Sequence, residues 1–459
     1  METETPKHGF RTFLILWTTQ SMSVLGSMLT YFGIIIWLST DLYPAEHQKA
    51  QLAFAISGIT IARTLFTLII TPFAGIWVDR YDRKKMMIIA NMGSCILNLT
   101  LGILLVLKIS NLWWILLFIS LYSVFSNIHG AAFDTIYVGL VPKSRLARTH
   151  GMMQTTWSLA GIISPGIAAT IIALPRLLEQ GRLPFLDSIL SERFQDGMVL
   201  ITGIDTLTFF MSAIVLFFLP IPSIIGKKKQ KPKTMWGDIR EGIIYLRQQT
   251  GLLWLLSIFA VINFVAPARQ IFYPLLIKFN LAEDWARNNY SFETALALLS
   301  TVSSIGGVAG GLLISTWGGF KRRRIFGIII PAMISAVMQL TLGLSSSYYL
   351  SIATVFTLSM MVPLVNAHSQ AIWQSRTPPE LQGRVFAVRR LLAQCTNPLG
   401  ALFAGIVGGI FNPGIIMASL GTILLLFCGV QLFNSKLIHV DDPVPDQELP
   451  EQTLHQSHA

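Results

Sequence analysis

Four ionisable side chains of this 459-residue chain stand inside long apolar runs: Arg63, His129, Asp134 and Asp205. Charge within a hydrocarbon layer is costly, so such residues mark ion or solute pathways or polar ties between helices. A buried carboxyl such as Asp134 can take up and release a proton, and His129, five residues earlier, can do the same. Arg63 is near the middle of its run and Asp134 in the inner half of another. At about 1.5 Å per residue their depths differ by more than one side chain's reach, which argues against direct pairing. Asp205 reads as a structural tie. Soluble catalytic patterns are missing: there is no Gly-x-x-x-x-Gly-Lys-Ser/Thr, no His-x-x-x-His and no Cys-x-x-Cys. No cofactor, metal or ATP drive is expected, and energy must come from an ion gradient or a solute gradient.

The elements that must hold these groups are membrane spans. Hydrophobic residues make up 53% of the chain and charged ones only 12%, against about 25% charged in a soluble domain. Runs long enough to cross a bilayer lie near 11–38, 51–78, 86–107, 111–140, 151–174 and 198–219. A second set lies near 251–278, 293–318, 325–345, 348–374, 383–409 and 413–433. The expected fold is therefore an all-α membrane protein of twelve transmembrane helices. The first run is too long, and lacks a small-residue cleavage site after it, for a cleavable signal. Cys95, Cys395 and Cys428 fall in apolar runs without metal-ligand spacing and read as small hydrophobes.

Charge fixes the expected orientation. Of the 34 Lys and Arg, twenty-five fall in segments read as cytoplasmic, seven in segments read as outside and two, Arg63 and Arg269, within spans. This positive-inside bias accounts for the net charge of +11 without a nucleic-acid partner, and places both termini inside. Four regions follow: a first six-helix bundle over 1–219, a basic linker over 220–250, a second bundle over 251–435 and an acidic, Pro-rich tail over 436–459, expected to be disordered. Within the linker, Ile239, Ile243 and Leu246 recur at helical spacing, predicting an amphipathic helix on the inner membrane face.

The two halves echo each other. Val141-Pro-Lys-Ser-Arg after the fourth span is answered by Thr377-Pro-Pro-Glu-Leu-Gln-Gly-Arg-Val after the tenth, and Pro165 by Pro398. The basic loop Gly75-Ile-Trp-Val-Asp79-Arg80-Tyr-Asp-Arg83-Lys84-Lys85 after the second span is answered by Gly318-Gly319-Phe320-Lys321-Arg322-Arg323-Arg324 after the eighth. Tandem halves of this kind build secondary transporters. With these residues the chain resembles the major facilitator superfamily, whose signature loop Gly75 to Lys85 matches. Leu16-Trp17-Thr-Thr-Gln20-Ser-Met-Ser23 in span one and Thr377 to Phe386 are similar to the branch holding macrolide-efflux transporters and the enterobactin exporter. Ile204-Asp205-Thr-Leu-Thr-Phe209 and Arg240-Glu241-Gly242 match as well.

The resemblance implies the major facilitator fold, two pseudo-symmetric six-helix bundles around a central cavity. It implies a monomeric, multi-pass protein of the bacterial cytoplasmic membrane, surrounded by lipid. The expected activity is export of a drug-like, macrolide-type amphipathic small molecule by alternating access, with protons as coupling ion in antiport. A siderophore exporter is the alternative, with a non-transporting receptor or a membrane-embedded enzyme behind it. The conformational gate would comprise Gly75, Asp79, Arg80, Arg83 and Lys84, with Asp79 at the N-terminal end of span eleven when the inner side is shut. Its counterpart has Ser315 where a second carboxylate would stand, so it would brace rather than latch. Candidate proton-coupling residues are Asp134, His129 and Arg63. Candidate cavity residues are Trp17, Gln20, Ser23 and Tyr31 on span one, Asn263 and Phe264 on span seven, and Asn366, His368 and Gln370 on span ten. Arg269 is expected to snorkel to the interface. The outer loop 175–197 is longer than the family pattern.

The topology has a direct test. Impermeant labelling of single tags at positions 230 and 185 must report opposite sides of the membrane; same-side labelling would overturn the span count.

Overall fold

The computed structural model describes residues 9–109, 111–142, 145–179, 196–221, 235–378 and 381–441. Within them twelve helices are long and apolar enough to cross a membrane. They are α1 (Gly9–Trp37), α2 (Lys49–Arg80), α3 (Arg83–Val106), α4 (Leu112–Leu140), α5 (Leu146–Glu179) and α6 (Gly197–Phe218) in the first half. The second half holds α7 (Thr250–Leu275), α8 (Phe292–Trp317), α9 (Phe326–Leu344), α10 (Tyr348–Arg376), α11 and α12 (Pro413–Gln431). Helix α11 runs as Gln382–Gln394 and resumes as Thr396–Ile410. The break at Cys395 lies just before Pro398, which has no N–H for the ladder and whose ring crowds the preceding turn.

Polar residues between the runs decide where helices begin. Asn111 Oδ1 accepts the Trp113 and Trp114 amides at 3.1 and 3.2 Å, and Asp82 Oδ1 accepts Lys85 N–H at 2.9 Å. Asp196 accepts Met198 N–H at 2.8 Å. Asn412, ahead of Pro413, accepts Gly414 N–H at 2.8 Å. Each supplies an acceptor for amides that a helix start leaves unpaired. Gly318, at φ +79°, ends α8 in the left-handed conformation that glycine adopts without a Cβ penalty.

Helix contacts in one half repeat in the other six helices later. Helix α1 packs on α5 and α6, as α7 packs on α11 and α12. Helix α2 packs on α4, as α8 on α10; α3 packs on α4 and α6, as α9 on α10 and α12. The two main pairings between halves are α2 with α11 and α5 with α8, and the internal symmetry maps one onto the other. These crossings are lined by small residues. Ser57 donates to the Ala401 carbonyl at 2.5 Å, Ser304 to that of Gly161 at 2.9 Å and Thr301 to that of Ile162 at 3.0 Å. A Cβ at Gly409 would come within 3.0 Å of the Ala50 backbone. Close backbone approach of this kind replaces the hydrophobic drive that lipid cannot supply.

Strict alternation of helix direction places the starts of α1, α3, α7 and α9 at one end, here the basic end. The apolar cores show how the halves sit. At the opposite, far end a single core joins Ile36, Leu52 and Ile56 to Ile271, Leu275, Ala401 and Met417. At the basic end each half has its own core, Phe13, Val78, Met87 and Leu216 in one and Leu252, Ile328, Val385 and Cys428 in the other. The halves therefore close on each other at the far end and separate toward the basic end.

Two expectations are corrected and one is extended. The linker helix Met235–Gln248 packs on protein along one side, while Ile243 and Ile244 stay exposed. Its Leu246 is buried with Leu252 and Val388, Tyr245 donates to the Arg376 carbonyl at 2.5 Å, and Glu241 pairs with Arg384. The Ile239 side chain lies outside the described residues. The start of the tail is ordered: Leu437 and Val440 fill the same core, and Asp441 pairs with Arg324 at 3.7 Å; 442–459 lie outside the described residues. Cys395, at the break in α11, is exposed, whereas Cys95 and Cys428 are buried as expected. Most of the outer loop, 180–195, lies outside the described residues.

Candidate functional site

Between the halves lies a cavity of about 860 Å³. From the first half, α1 lines it from Trp17 to Ile35, α2 at Arg63, and α4 from Phe118 to Asp134. From the second half only the far portions of α7 (Gln270, Tyr273, Pro274) and α8 (Leu296 to Ser304) reach it. Those two helices roof the space, and Asp134 near the basic end is exposed. The cavity is open toward the basic end.

Its polar groups form three sets. His129 Nε2 and Gln20 Oε1 are 2.7 Å apart, with the imidazole stacked on Phe133 at 6.0 Å, while Gln20 Nε2 is buried without a partner among the described residues. Arg63 lies over the Tyr31 ring at 5.3 Å, a cation–π contact, and not against Asp134. Asp205 is buried, accepting from Thr30 Oγ1 at 2.8 Å; a Cβ on Gly26 would come within 2.6 Å of it, so α1 and α6 meet there. Asp134 has no hydrogen-bond or ion-pair partner among the described residues. Trp17 donates to Thr156 at 3.0 Å and Ser23 to the Thr208 carbonyl at 3.2 Å, so both tie α1 to its neighbours while facing the cavity.

A second cavity of about 440 Å³ lies within the second half. Asn263, Asn366 and Gln370, expected at one central cavity, line this one. Two expectations fail on packing grounds. His368 is buried and faces the α8–α9 turn: Nε2 accepts Phe320 N–H at 2.9 Å, so the ring proton is on Nδ1 and donates to Leu364 O at 2.8 Å. It braces the second basic loop. Phe264 lines neither cavity; its carbonyl sits under Gly400 and its ring lies 5.6 Å from that of Phe403, where α7 crosses α11. Arg269 lines the second cavity instead of snorkelling outward. Arg389 and Arg390, read from sequence as part of the cytoplasmic charge, line it as well. Their position inside the eleventh apolar run was the signal available. Tyr122, Gln270 and Tyr273 in the shared cavity carried none, because an aromatic or amide on a spanning helix gives no indication of which side it faces.

Gly75 and Lys84 make no contact with the opposite half among the described residues. A Cβ added at Gly75 would meet nothing within 4 Å. Lys84 donates to the Phe217 and Leu219 carbonyls at 2.9 Å each, capping α6 in its own half. Arg80 is exposed, and Arg83 Nε is buried with no hydrogen-bond partner among the described residues. The Asp79 side chain lies outside the described residues.

A family model described as Major Facilitator Superfamily matches residues 16–401. The chain belongs to that superfamily. This facilitator is 24% identical over 403 residues to macrolide efflux protein A of Streptococcus pyogenes, covering 86% of this chain and 90% of that protein. It is 23% identical to the putative bacilysin exporter BacE of Bacillus subtilis (strain 168), over 83% of this chain and 85% of that one. Among solved structures, a bacterial homologue of the lysosomal transporter Spinster, inward-facing and unoccupied, superposes with a TM-score of 0.64 at 16% identity, over 95% of each chain. A POT family transporter in complex with 5-aminolevulinic acid gives 0.68 at 13% identity, over 95% of this chain and 99% of that one. The likeness to solved structures is one of fold. The protein is thus a membrane transporter of small molecules, not an enzyme.

In this facilitator the far end is held by polar ties as well as by core packing. Helices α1 and α7, equivalent by the internal symmetry, both end in a π-helical turn, Leu38–Leu42 and Leu276–Asn280. Lys278 reaches from one to the other and donates to the Ser39 and Tyr43 carbonyls at 2.6 Å each. Lys49 donates to the Phe411 carbonyl at 2.7 Å. Hydrogen bonds from a charged donor contribute roughly 1.5–3 kcal/mol each. Lys278→Met removes two of them and should therefore raise the ratio of far-end-open to far-end-closed molecules at least about a hundredfold, roughly 3 kcal/mol. Accelerated alkylation of a reporter cysteine in the cavity wall, added from the far side, measures this; an unchanged rate would show that the lysine does not hold the closure.

Proposed function

We propose that this protein exports an amphipathic, macrolide-type small molecule across the bacterial cytoplasmic membrane, its basic end and both termini facing the cytoplasm. The observation that carries this reading is the 860 Å³ cavity, roofed at the far end and open at the basic end. Positive-inside bias makes that opening the cytoplasmic one, the side from which an exporter takes up its solute. Aromatic walls (Trp17, Tyr31, Tyr122, Phe133) with a few polar groups (Gln20, His129, Asp134) suit a large solute bound by apolar contact and a few hydrogen bonds. The relatives bearing efflux and exporter names favour the same direction.

Alternating access would then proceed by rocking about the α2–α11 and α5–α8 crossings. Closing the basic end brings the Gly75 region of α2 toward the start of α11, where Asp79 meets a helix N-terminus and Arg80, Arg83 and Lys84 stay beside it. Opening the far end separates Lys278 from Ser39 and Tyr43. Protons provide the drive: Asp134, exposed in the cavity and in no ion pair among the described residues, binds one when the solute leaves, and His129, which meets Gln20 of α1, lies five residues earlier on the same helix.

Export is read as macrolide accumulation in a host deprived of its own pumps, where expression should lower the steady-state level severalfold; no change would remove the macrolide class. In that assay Asp79→Ala should cut the efflux rate at least fivefold with normal amounts in the membrane, and full efflux would leave the gate without support. Asp134→Asn should abolish uphill export in proteoliposomes while solute exchange down its gradient continues; persistent response to an imposed pH gradient would dismiss Asp134 as the coupling group.

A further inference from the structure

The second cavity differs in charge from the first. Its wall contains three arginines, Arg269, Arg389 and Arg390, and no Asp or Glu. Guanidinium groups stay charged in proteins, so burial cannot neutralise them, and a charge inside a helical bundle needs a counter-charge or strong acceptors. Arg389 has only neutral ones: it donates to Gln370 Oε1 and Ser369 Oγ at 3.0 Å each and lies over the Trp373 ring at 5.0 Å. Arg269 has no hydrogen-bond or ion-pair partner among the described residues, and Arg390 is exposed. Arg389 is level with Phe259 of α7, 5.8 Å from its ring. Arg269 is ten residues further along that helix, about 15 Å deeper toward the far end. Between them the wall offers amides, Asn263 and Asn366, and apolar side chains including Ile262 and Val362.

A slot with fixed positive charge at both ends, amide donors between and apolar sides complements one chemistry. We propose that this cavity binds an amphipathic organic anion, a carboxylate or a phosphate monoester, with Arg389 and Arg390 receiving it near the basic end and Arg269 pairing with it at depth. Guanidinium forks match the two oxygens of a carboxylate or phosphate. The site is separate from the shared cavity and does not depend on the export reading, since binding is measured without transport.

The test uses the full-length protein in phosphatidylcholine nanodiscs, titrated calorimetrically with 2-naphthoate, 2-naphthyl phosphate and, as a neutral control, methyl 2-naphthoate. The two anions should bind at least tenfold more tightly than the ester. Arg269→Gln should lower anion affinity at least tenfold and leave ester affinity unchanged, and Arg269→Lys, which keeps the charge but not the fork, should recover part of the loss. Arg389→Gln, which also removes ties to Gln370 and Ser369, serves as a second variant, its folding checked by melting temperature. Adding phosphatidylglycerol separates two sources of the anionic group: suppression of naphthoate binding assigns the site to a lipid phosphate, and undiminished binding to a soluble anion. Equal affinities for naphthoate and its ester, or anion binding unchanged in both glutamine variants, would overturn the proposal.

Discussion

Everything in this molecule rests on two helix crossings that lipid cannot hold together by the hydrophobic effect. Hydrocarbon is as apolar as the helices it surrounds, so α2 with α11 and α5 with α8 must be joined by short-range contact and hydrogen bonds. Ser57 against Gly405 and Ala401, Gly409 against Ala50, and Gly161 against Ser304 provide both. Larger side chains at these points would push the halves apart and erase the pivot. Because the crossings lie in the middle and far portions of the helices, the space beyond them opens toward the basic end.

The distribution of polar groups follows from that arrangement. Ties within a half, such as Asp205 with Thr30, Lys84 with the end of α6 and His368 with Phe320, unite helices that move together. Ties between halves are few and use main-chain carbonyls as acceptors, as Lys278 does. Such contacts can break and re-form without stranding a buried carboxylate. The two halves share a fold but not a charge pattern. The shared cavity, lined mostly by the first half, contains Asp134, Asp205 and Arg63, while the cavity of the second half contains arginines alone. Internal symmetry repeated the scaffold and left each half free to acquire its own lining.

Much of this was legible in the chain. Apolar length specifies a span because every backbone group must be satisfied within the helix in lipid, and twelve runs accordingly became twelve helices. Asp205 could be read as a tie because a carboxyl on a peripheral helix has few other uses. Arg63 and Asp134 could be separated by depth alone. What went wrong shares a cause: spanning helices are apolar nearly all round, so periodicity does not reveal which face meets a neighbour, a cavity or lipid. Phe264 and His368 were placed at the cavity on helix membership, yet a rotation of about 100° per residue decides that question. In the linker helix Leu246 meets protein while Ile243 of the same apolar stripe stays exposed, which the spacing alone does not distinguish.

The sequence by itself determined the number of crossings, their alternation, the end that bears positive charge and the presence of two related halves. These depend on hydrocarbon thickness and net composition, which act along the chain. Only the tertiary structure decided that the halves close at the far end, that one cavity is shared and another belongs to the second half, and that Arg269 turns inward. Those features depend on helix rotation and on small residues meeting across large sequence separations, and a short-range pattern along the chain does not encode them.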